Sequence, residues 1–256
     1  MTDPAPAIGV VGVGAMGSAM AAGLAPHATV VVEDLVPGRA GEVAAHHGVV
    51  DGDAAGCDVV VMAVKPQDLA AVLDDVVPRM APGAVLASVA AGWPLDRLAA
   101  AATGHPVVRL MPNLAVAGGV GVIAMACRGL DDDGEHRMRD LLAPLGAVVP
   151  MDESLFPVAT AIAGSGPGFL AHLAAAMERA GRAGGMSDEQ ARDMVRGVIA
   201  GTAFLLADGC DPAELEARVT SPGGTTAAGI AQLRDHGVAD ALAAAVAAAA
   251  ARAAEL

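Results

Sequence analysis

Short, nearly continuous apolar runs alternate with amphipathic segments through the first 150 residues. Valine-rich runs of four to seven residues are typical of strands buried on both faces of a parallel sheet. The runs are residues 8–11, 29–32, 58–64, 84–89, 107–110, 120–125 and 146–149. Helices are predicted between them at 18–24, 38–47, 68–77 and 131–142. This alternation predicts an α/β fold with a doubly wound parallel sheet covered by helices on both faces.

The pattern changes after Pro150, where helical spacing replaces the apolar runs. Helices are predicted over residues 153–163, 167–183, 187–207, 212–218, 225–235 and 238–254. We therefore predict two domains, 1–151 and an all-α domain over 152–256. Helices so rich in Ala and Gly bury little area each, so we expect the second domain to dimerise. Ser187 and Gln190 predict a capping box, and the sequence GSGP at 164–167 predicts a break or kink in a long helix.

A glycine-rich turn, GVGAMG at residues 12–17, joins the first predicted strand to the first helix. The acids Glu33 and Asp34 close the second strand about twenty residues later, as in dinucleotide-binding units. Strand, tight turn and helix in this order are typical of a Rossmann fold, whose turn binds a pyrophosphate. The pattern favours a nicotinamide cofactor. The alternative is a glycine-rich turn in another kind of α/β protein.

Composition narrows the ligands that this fold can bind. The 256 residues carry a formal charge of −14, with three Phe, one Trp, no Tyr and Arg residues scattered along the chain. A basic stripe and an aromatic stacking surface are both missing from the sequence, which argues against nucleic-acid binding. Local donors must then hold an anionic cofactor. The single lysine, Lys65, follows the third apolar run, at a strand end where open parallel sheets bind ligands.

The cysteines and the start of the chain predict the compartment. Cys57, Cys127 and Cys210 are odd in number and widely spaced, which predicts reduced thiols in a cytoplasmic protein. Residues 1–6 lack a basic or apolar signal region and the apolar stretches are interrupted, so neither export nor a membrane span is expected. The histidines and residues 131–133 lack metal-site spacing, and no metal is expected.

The run TSPGGTT at residues 220–226 stands where a late helix is predicted to begin. Thr220 or Ser221 is predicted to cap this helix, and Pro222 to occupy its first position, which needs no donor. Two glycines would leave the first-turn N–H groups open, and these groups attract a carboxylate or phosphate. We interpret the run as the binding place of a small anionic substrate. An ordinary capped helix is the alternative.

Taken in order, the motifs resemble the pyrroline-5-carboxylate reductase family, which catalyses the last step of proline synthesis. The matching runs are residues 12–17 (GVGAMG), 63–66 (AVKP), 90–92 (AAG), 109–113 (RLMPN), 164–167 (GSGP) and 220–226 (TSPGGTT). The resemblance implies a Rossmann domain followed by a helical dimerisation domain. It also implies an oxidoreductase acting on a CH–NH bond, which reduces L-1-pyrroline-5-carboxylate to L-proline with NADH or NADPH at a site built from two subunits.

The resemblance also implies roles for individual residues. Those implied to bind the cofactor are Gly12, Gly14, Ala15, Met16, Gly17, Val64, Lys65 and Ala91. Those implied to bind substrate are Ser221, Gly223, Gly224, Thr225 and Thr226, of which Ser221, Thr225 and Thr226 are the catalytic candidates. Thr226 is expected near the ring nitrogen, and catalysis is expected to be chiefly orientation of a protonated imine. The proton donor stays open between Thr226, solvent and an iminium protonated on arrival.

The acids after the second strand depart from the family pattern, which often has a small polar residue and an Arg suited to a 2′-phosphate. Glu33 and Asp34 stand there instead. An acidic side chain accepts hydrogen bonds from a ribose diol and repels a phosphate. We therefore predict that both acids bind the cofactor and that NADH is preferred over NADPH.

Further departures from the family pattern leave the identity of the substrate open. Leu114 and Ala115 replace the usual Thr-Pro, Val120 replaces a usual Glu, and Ala15 replaces a polar amide. A related reductase of another cyclic imine or keto acid is therefore one alternative. A dinucleotide-binding regulatory protein without catalysis is another, against which Lys65 and the complete run at 220–226 argue. Arg109 is left open between a contact to cofactor or substrate and a loop brace.

Overall fold

The computed structural model describes residues 6–207 and 209–255. The chain forms two compact units, one comprising the chain up to Gly164 with the last residues from Ala249, the other Ser165–Ala248. The domain boundary between residues 151 and 152 stays a prediction. The expectation that no signal region is present rests on residues 1–6, of which 1–5 lie outside the described residues.

An eight-stranded sheet organises the first unit. Its strands are β1 (Ile8–Val11), β2 (Val30–Glu33), β3 (Val50–Asp51), β4 (Val59–Met62), β5 (Val85–Ser88), β6 (Val107–Pro112), β7 (Gly121–Arg128) and β8 (Gly146–Pro150). They lie in the order β3-β2-β1-β4-β5-β6-β7-β8. The order reverses between β1 and β4, and open sheets bind ligands at such a switch point. The predicted α/β fold with a doubly wound sheet is confirmed.

The last two strands make the sheet mixed. Strands β1 to β6 run parallel to their neighbours, whereas β7 pairs antiparallel with β6, and β8 pairs parallel with β7. Only residues 113–120 connect β6 to β7. A parallel pair needs a crossover of about a dozen residues or more, so this short connection reverses the chain. The first six strands run parallel as predicted, whereas β7 and β8 run in the opposite direction, where the prediction is wrong.

Helices cover both faces of this sheet. In the first unit they are α1 (Ala15–Leu24), α2 (Arg39–His47), α3 (Leu69–Val76), α4 (Leu95–Ala101), α5 (Asp132–Leu142) and α6 (Phe156–Ala159). Successive residues of a strand point to opposite faces. Val60 belongs to a buried cluster with Leu73 and Leu98, whereas Val61 belongs to a second cluster with Met20. Burial on both sides therefore explains the continuous apolar runs of β1 and β4, whereas β8 is largely exposed.

Two short elements were not predicted. Strand β3 has two residues, both exposed, and α4 has seven. Within α4 only Leu95 and Leu98 are buried, which is too short an apolar repeat to indicate a helix. Both elements depend on contacts made by the sheet and carry little local signal of their own.

The part of the second unit that the structure describes is built of helices. They are α7 (Gly166–Ala183), α8 (Asp188–Ala207), α9 (Pro212–Val219), α10 (Thr225–Asp235) and most of α11 (Val238–Ala254). Each agrees with a predicted helix to within one residue. The Ser187 hydroxyl accepts from the Gln190 N–H at 3.2 Å, and the Gln190 side-chain oxygen accepts from the Ser187 N–H at 2.9 Å. The capping box is therefore confirmed.

Candidate active site

The glycine-rich turn leaves β1 at the carboxyl edge of the sheet. Gly12 has a φ of +89°, a left-handed conformation that favours glycine, and a Cβ there would lie 2.6 Å from Val64 Cγ1. A Cβ on Gly17 would lie 2.0 Å from the Gly12 carbonyl oxygen, whereas a Cβ on Gly14 would meet no atom within 4 Å. Gly12 and Gly17 therefore keep the turn tight, and Gly14 leaves open space beside the start of α1.

A first cavity of about 360 Å³ opens beside this turn, at the ends of β1, β2 and β4. Of the residues assigned to the cofactor from the sequence, Gly12, Gly14, Glu33, Asp34, Val64 and Lys65 line it. Its other walls, which the sequence did not indicate, include Leu35, Val36, Arg39, Asp68, Val72, Asp75 and Val76. Aliphatic walls with a few polar groups suit the adenine and ribose of a dinucleotide.

Asp34 is held at the mouth of the glycine turn. Its carboxylate accepts hydrogen bonds from the Val13 and Val36 N–H groups, both at 2.8 Å, and Arg39 approaches it at 3.5 Å. The Asp34 side chain is 7% exposed. Each carboxylate oxygen takes one backbone N–H, and its second acceptor position faces only the long contact with Arg39, which a ribose hydroxyl could replace.

Glu33 makes different contacts from its neighbour. Its carboxylate accepts a hydrogen bond from the Ala54 N–H at 3.1 Å and pairs with Arg79 at 2.7 Å. Glu33 thus contributes to the cavity wall while its charge is paired with a residue that does not line the cavity. The sequence predicts the same role for Glu33 and Asp34, whereas the hydrogen-bond and ion-pair partners of the two acids differ in the structure.

A second cavity of about 460 Å³ adjoins the first. The assigned cofactor residues Gly14, Ala15, Met16, Val64, Lys65 and Ala91 line it. Gly14, Val64 and Lys65 are common to both cavities, which therefore lie side by side as the two halves of a dinucleotide site would. Gly17 lines neither cavity, because it is buried where α1 packs on the turn.

The segment that carries Lys65 is fixed by the tryptophan. Trp93 is 4% exposed and its indole N–H donates to the Pro66 carbonyl at 3.0 Å. The Arg97 guanidinium stacks over the Trp93 ring at 3.6 Å from its centroid. A buried indole that bonds the residue next to Lys65 gives the ends of β4 and β5 one fixed arrangement.

Arg109 serves as a brace and also lines the second cavity. Its guanidinium pairs with Glu153 at 2.7 Å and lies 4.6 Å from the centroid of the Phe156 ring. The same Glu153 oxygen accepts from the Leu95 N–H at 2.8 Å. Arg109 therefore ties β6 to the start of α4 and to α6 while remaining at the cavity wall. Arg109 therefore braces a loop, as one alternative from the sequence has it, and it also lines the second cavity, where the other alternative expects a contact to cofactor or substrate.

Asn113, in the RLMPN run, joins three segments. Its side-chain oxygen accepts from the N–H groups of Ala115 and Val122, both at 3.2 Å, and its amide donates to the Ala163 carbonyl at 3.1 Å. Ala163 belongs to a π-helical stretch, Thr160–Gly164, that ends before α7. The helix break predicted at 164–167 is confirmed, and π-helical turns are frequent at functional sites.

The assigned substrate residues Ser221, Gly223, Gly224, Thr225 and Thr226 lie together at the start of α10, in the second unit. The predicted cap is wrong: Gly224 is the N-cap, so neither Thr220 nor Ser221 caps the helix and Pro222 precedes it. Thr220 instead donates to the Glu216 carbonyl at 2.6 Å, at the end of α9. With no side-chain cap, the first N–H groups of α10 are left for an anion. Within the described residues, the hydroxyls of Ser221, Thr225 and Thr226 have no hydrogen-bond partner in the protein.

The cysteines are thiols outside both cavities. Cys57 is buried and Cys127 half-buried, and burial raises the pKa of both, that of Cys127 to about 12. Thiols with raised pKa values are poor nucleophiles at neutral pH. Neither of these two cysteines is a candidate for the chemistry of the site.

Fold and site together define a dinucleotide-binding oxidoreductase. Residues 7–92 match the family model for coenzyme F420-dependent NADP oxidoreductases, and residues 153–256 match that for pyrroline-5-carboxylate reductase dimerisation. The pyrroline-5-carboxylate reductase of Pseudomonas aeruginosa is 36% identical over 254 residues, covering 91% of this chain and 90% of that protein. The chain therefore belongs to the pyrroline-5-carboxylate reductase family.

Solved structures of the family share this fold. The 1-pyrroline-5-carboxylate reductase of Streptococcus pyogenes matches with a TM-score of 0.82 at 27% identity, over 98% of this chain and 99% of its own. The Plasmodium falciparum pyrroline carboxylate reductase, whose structure holds NADP, matches with a TM-score of 0.81 at 24% identity, over 99% of this chain and 98% of its own. The second match supports the fold alone.

The region that matches the dimerisation model leaves many apolar side chains exposed. They include Leu170, Met177, Met194, Val198 and Phe204. The helical stretch Glu153–Ala183 is also long and apolar enough to cross a membrane, and 11% of its most apolar segment is buried. A helix that packs on a second copy of the chain has the same character, and the family match supports self-association.

Proposed function

We propose that this chain reduces L-1-pyrroline-5-carboxylate to L-proline, the last step of proline biosynthesis, with a reduced nicotinamide dinucleotide as hydride donor. The observation that carries the proposal is the pair of adjoining cavities at the glycine turn, in a chain of this family. We assign cofactor binding to the sequence-predicted residues at this edge of the sheet. Gly17 is included for its packing under the turn.

The residues present fit a dinucleotide. The space beside Gly14 lets a pyrophosphate reach the N–H groups at the start of α1, whose N-cap carries no side chain. The first cavity, with Asp34, suits the adenine ribose. The second, with Met16 and Ala91, suits the nicotinamide, which when bound supplies a hydride.

The substrate carboxylate is assigned to the start of α10. The N–H groups of Thr225 and Thr226 and the positive end of the helix dipole attract an anion. Ser221, Gly223 and Gly224 complete this turn, and Gly223 has a φ of +71°. Local donors of this kind are needed because the chain as a whole carries a charge of −14.

The reaction adds a hydride to the carbon of a protonated C=N bond and leaves the ring nitrogen as a secondary amine. An iminium is already electrophilic, so the residues mainly hold the two reactants in register and exclude water. We assign the Thr226 hydroxyl to the ring nitrogen. The proton reaches that nitrogen from Thr226, from solvent or with the substrate.

We also propose that NADH is preferred over NADPH. Asp34 supports this preference, because its carboxylate is fixed beside the glycine turn and a ribose hydroxyl can replace the long Arg39 contact at its remaining acceptor positions. A 2′-phosphate placed there would meet a negative charge that Arg39, at 3.5 Å, balances only in part.

Replacing Asp34 with asparagine tests this preference. The change removes the charge and keeps one acceptor oxygen, so the ratio of kcat/KM for NADPH to that for NADH is expected to rise about tenfold. Steady-state rates with each nucleotide at fixed imine concentration measure it. Glu33→Gln serves as the comparison, and a smaller change is expected because Arg79 already pairs with Glu33. An unchanged ratio in Asp34→Asn would contradict the proposed preference for NADH.

A related substrate is the second candidate. Leu114 and Val120, which replace polar residues of the family pattern, are 72% and 76% exposed and give the connection between β6 and β7 an apolar surface. Such a surface would suit a larger or less polar imine or keto acid. The reductase fold and both cavities serve either reaction.

Oxidation of NADH or NADPH that depends on L-1-pyrroline-5-carboxylate tests the proposed reaction. Proline must form in equal amount. Higher kcat/KM with a six-membered cyclic imine acid or a keto acid would favour the second candidate. Nucleotide binding without turnover on any of these compounds would support a non-catalytic regulatory protein. A homodimer or higher oligomer, a cytoplasmic location and the absence of nucleic-acid and membrane partners stay predictions.

A further inference from the structure

Arg79 lies just beyond α3 and binds three carboxylates. Its guanidinium contacts Glu33 at 2.7 Å, Asp53 at 2.6 Å and Asp75 at 2.9 Å. Arg79 Nη2 lies 2.7 Å from Glu33 Oε1, and Arg79 Nη1 lies 3.4 Å from Glu33 Oε2. Both Glu33 oxygens therefore face the guanidinium. The hydrogen bond to Glu33 raises the pKa of Arg79, while burial acts in the opposite direction. A planar fork can serve several carboxylates at once in a way that an ammonium group cannot.

The position of this group relates it to the first cavity. Glu33 and Asp75 line the cavity, whereas Arg79 is not among its lining residues. The Ala54 N–H holds the same Glu33 carboxylate at 3.1 Å, so the side chain is fixed by two partners from elements distant in sequence. Asp34 lies next to Glu33 along the chain and has separate partners.

We propose that Arg79 is a positioning residue for nucleotide selectivity, which holds Glu33 in the cavity wall and neutralises it there. This inference rests on the proposed dinucleotide function. With Arg79 in place, Asp34 alone acts on the ribose 2′ position. Without it, Glu33, Asp53 and Asp75 lose the one positive charge that they share, and Glu33, then held only by the Ala54 N–H, can turn toward the nucleotide. A 2′-phosphate is repelled by this change far more than a ribose diol.

The test compares dissociation constants of NADH and NADPH, measured by fluorescence of Trp93 or of the bound nicotinamide. In Arg79→Gln, the NADPH constant is expected to rise about tenfold and the NADH constant less than about twofold. Arg79→Lys keeps the charge but loses the fork, and an intermediate shift of the NADPH to NADH ratio is expected. Arg128→Gln is the matched control: it removes an equal charge from the exposed pair with Asp96, outside both cavities, and should leave the ratio unchanged.

A double variant separates positioning from bulk charge. In a Glu33→Gln background, Arg79→Gln should change the ratio clearly less than in the unaltered protein, because the residue through which Arg79 acts is already neutral and only Asp53 and Asp75 lose their partner. The same large shift in that background would overturn the proposal. Equally weaker binding of NADH and NADPH, together with a lower midpoint of thermal unfolding, would also overturn the proposal, because a purely structural role predicts that result.

The outcomes also distinguish this inference from the function on which it rests. If the unaltered protein binds neither nucleotide, the proposed cofactor function fails. If it binds at least one measurably and Arg79→Gln leaves the ratio unchanged, only the role of Arg79 fails. Should Arg79→Gln not fold, Arg79→Lys decides: a ratio equal to that of the unaltered protein contradicts the proposal.

Discussion

Thr226→Ala is expected to lower turnover of L-1-pyrroline-5-carboxylate about 100-fold, the loss typical of one polar group that acts on the reacting centre. Nicotinamide affinity should change less than about twofold, because the assigned cofactor residues lie at the ends of β1, β2, β4 and β5. Steady-state kinetics give kcat, and fluorescence titration gives the dissociation constant of NADH. A large fall in kcat with unchanged nucleotide binding would place the hydroxyl at the imine.

Two further variants control this experiment. Thr226→Ser keeps a hydroxyl and should recover most of the turnover. Thr103→Ala removes an exposed hydroxyl that donates only to the Ala100 carbonyl, at 3.3 Å, and should behave as the unaltered protein. Unaltered turnover in Thr226→Ala would remove this residue from the site and leave solvent or the incoming iminium as the proton source.

Gly17→Ala is expected to lower the free energy of unfolding by about 3 kcal/mol, because the new methyl would lie 2.0 Å from the Gly12 carbonyl oxygen. The atom that the methyl would meet belongs to the backbone, and the next neighbour is the rigid Ala63 Cβ at 3.1 Å, so no flexible side chain could yield. Urea denaturation followed by circular dichroism measures the change. An unfolding midpoint equal to that of the unaltered protein would contradict the close packing of α1 on the turn.

Gly14→Ala is the matched control, and it separates folding from binding. A Cβ there meets no protein atom within 4 Å and φ is −69°, so stability should change by less than about 1 kcal/mol. The methyl would, however, stand where the pyrophosphate approaches the start of α1. NADH affinity should therefore fall at least about tenfold. Normal affinity would remove this turn from the phosphate site.

The sequence was a good guide wherever local pattern determines structure. Apolar runs located seven of the eight strands of the described residues because most of these strands are buried, although β8 is largely exposed. Helical spacing placed each helix of the second unit to within one residue. Strand β3 and helix α4 were missed because their few residues carry no periodic signal. The reversal at β7 depends on the length of a connection, which the apolar pattern does not report.

The site was predictable in its turn and strand ends but not in its side-chain partners. Residues 12–17 and Lys65 could be placed because a parallel sheet brings its carboxyl ends to one edge. The pairing of Glu33 with Arg79 spans 46 positions, and that of Trp93 with Pro66 spans 27. Sequence spacing cannot show that residues so far apart are in contact. The sequence therefore predicts one common role for Glu33 and Asp34.

Lys65 has a practical consequence for the laboratory. It carries the only side-chain amine in the protein, and it borders both cavities. An acylating reagent that targets lysine would therefore report on one position, and protection by nucleotide would be read directly from peptide mass. Coupling to an amine-reactive sensor chip through this side chain would obstruct that same position, so immobilisation calls for an affinity tag instead.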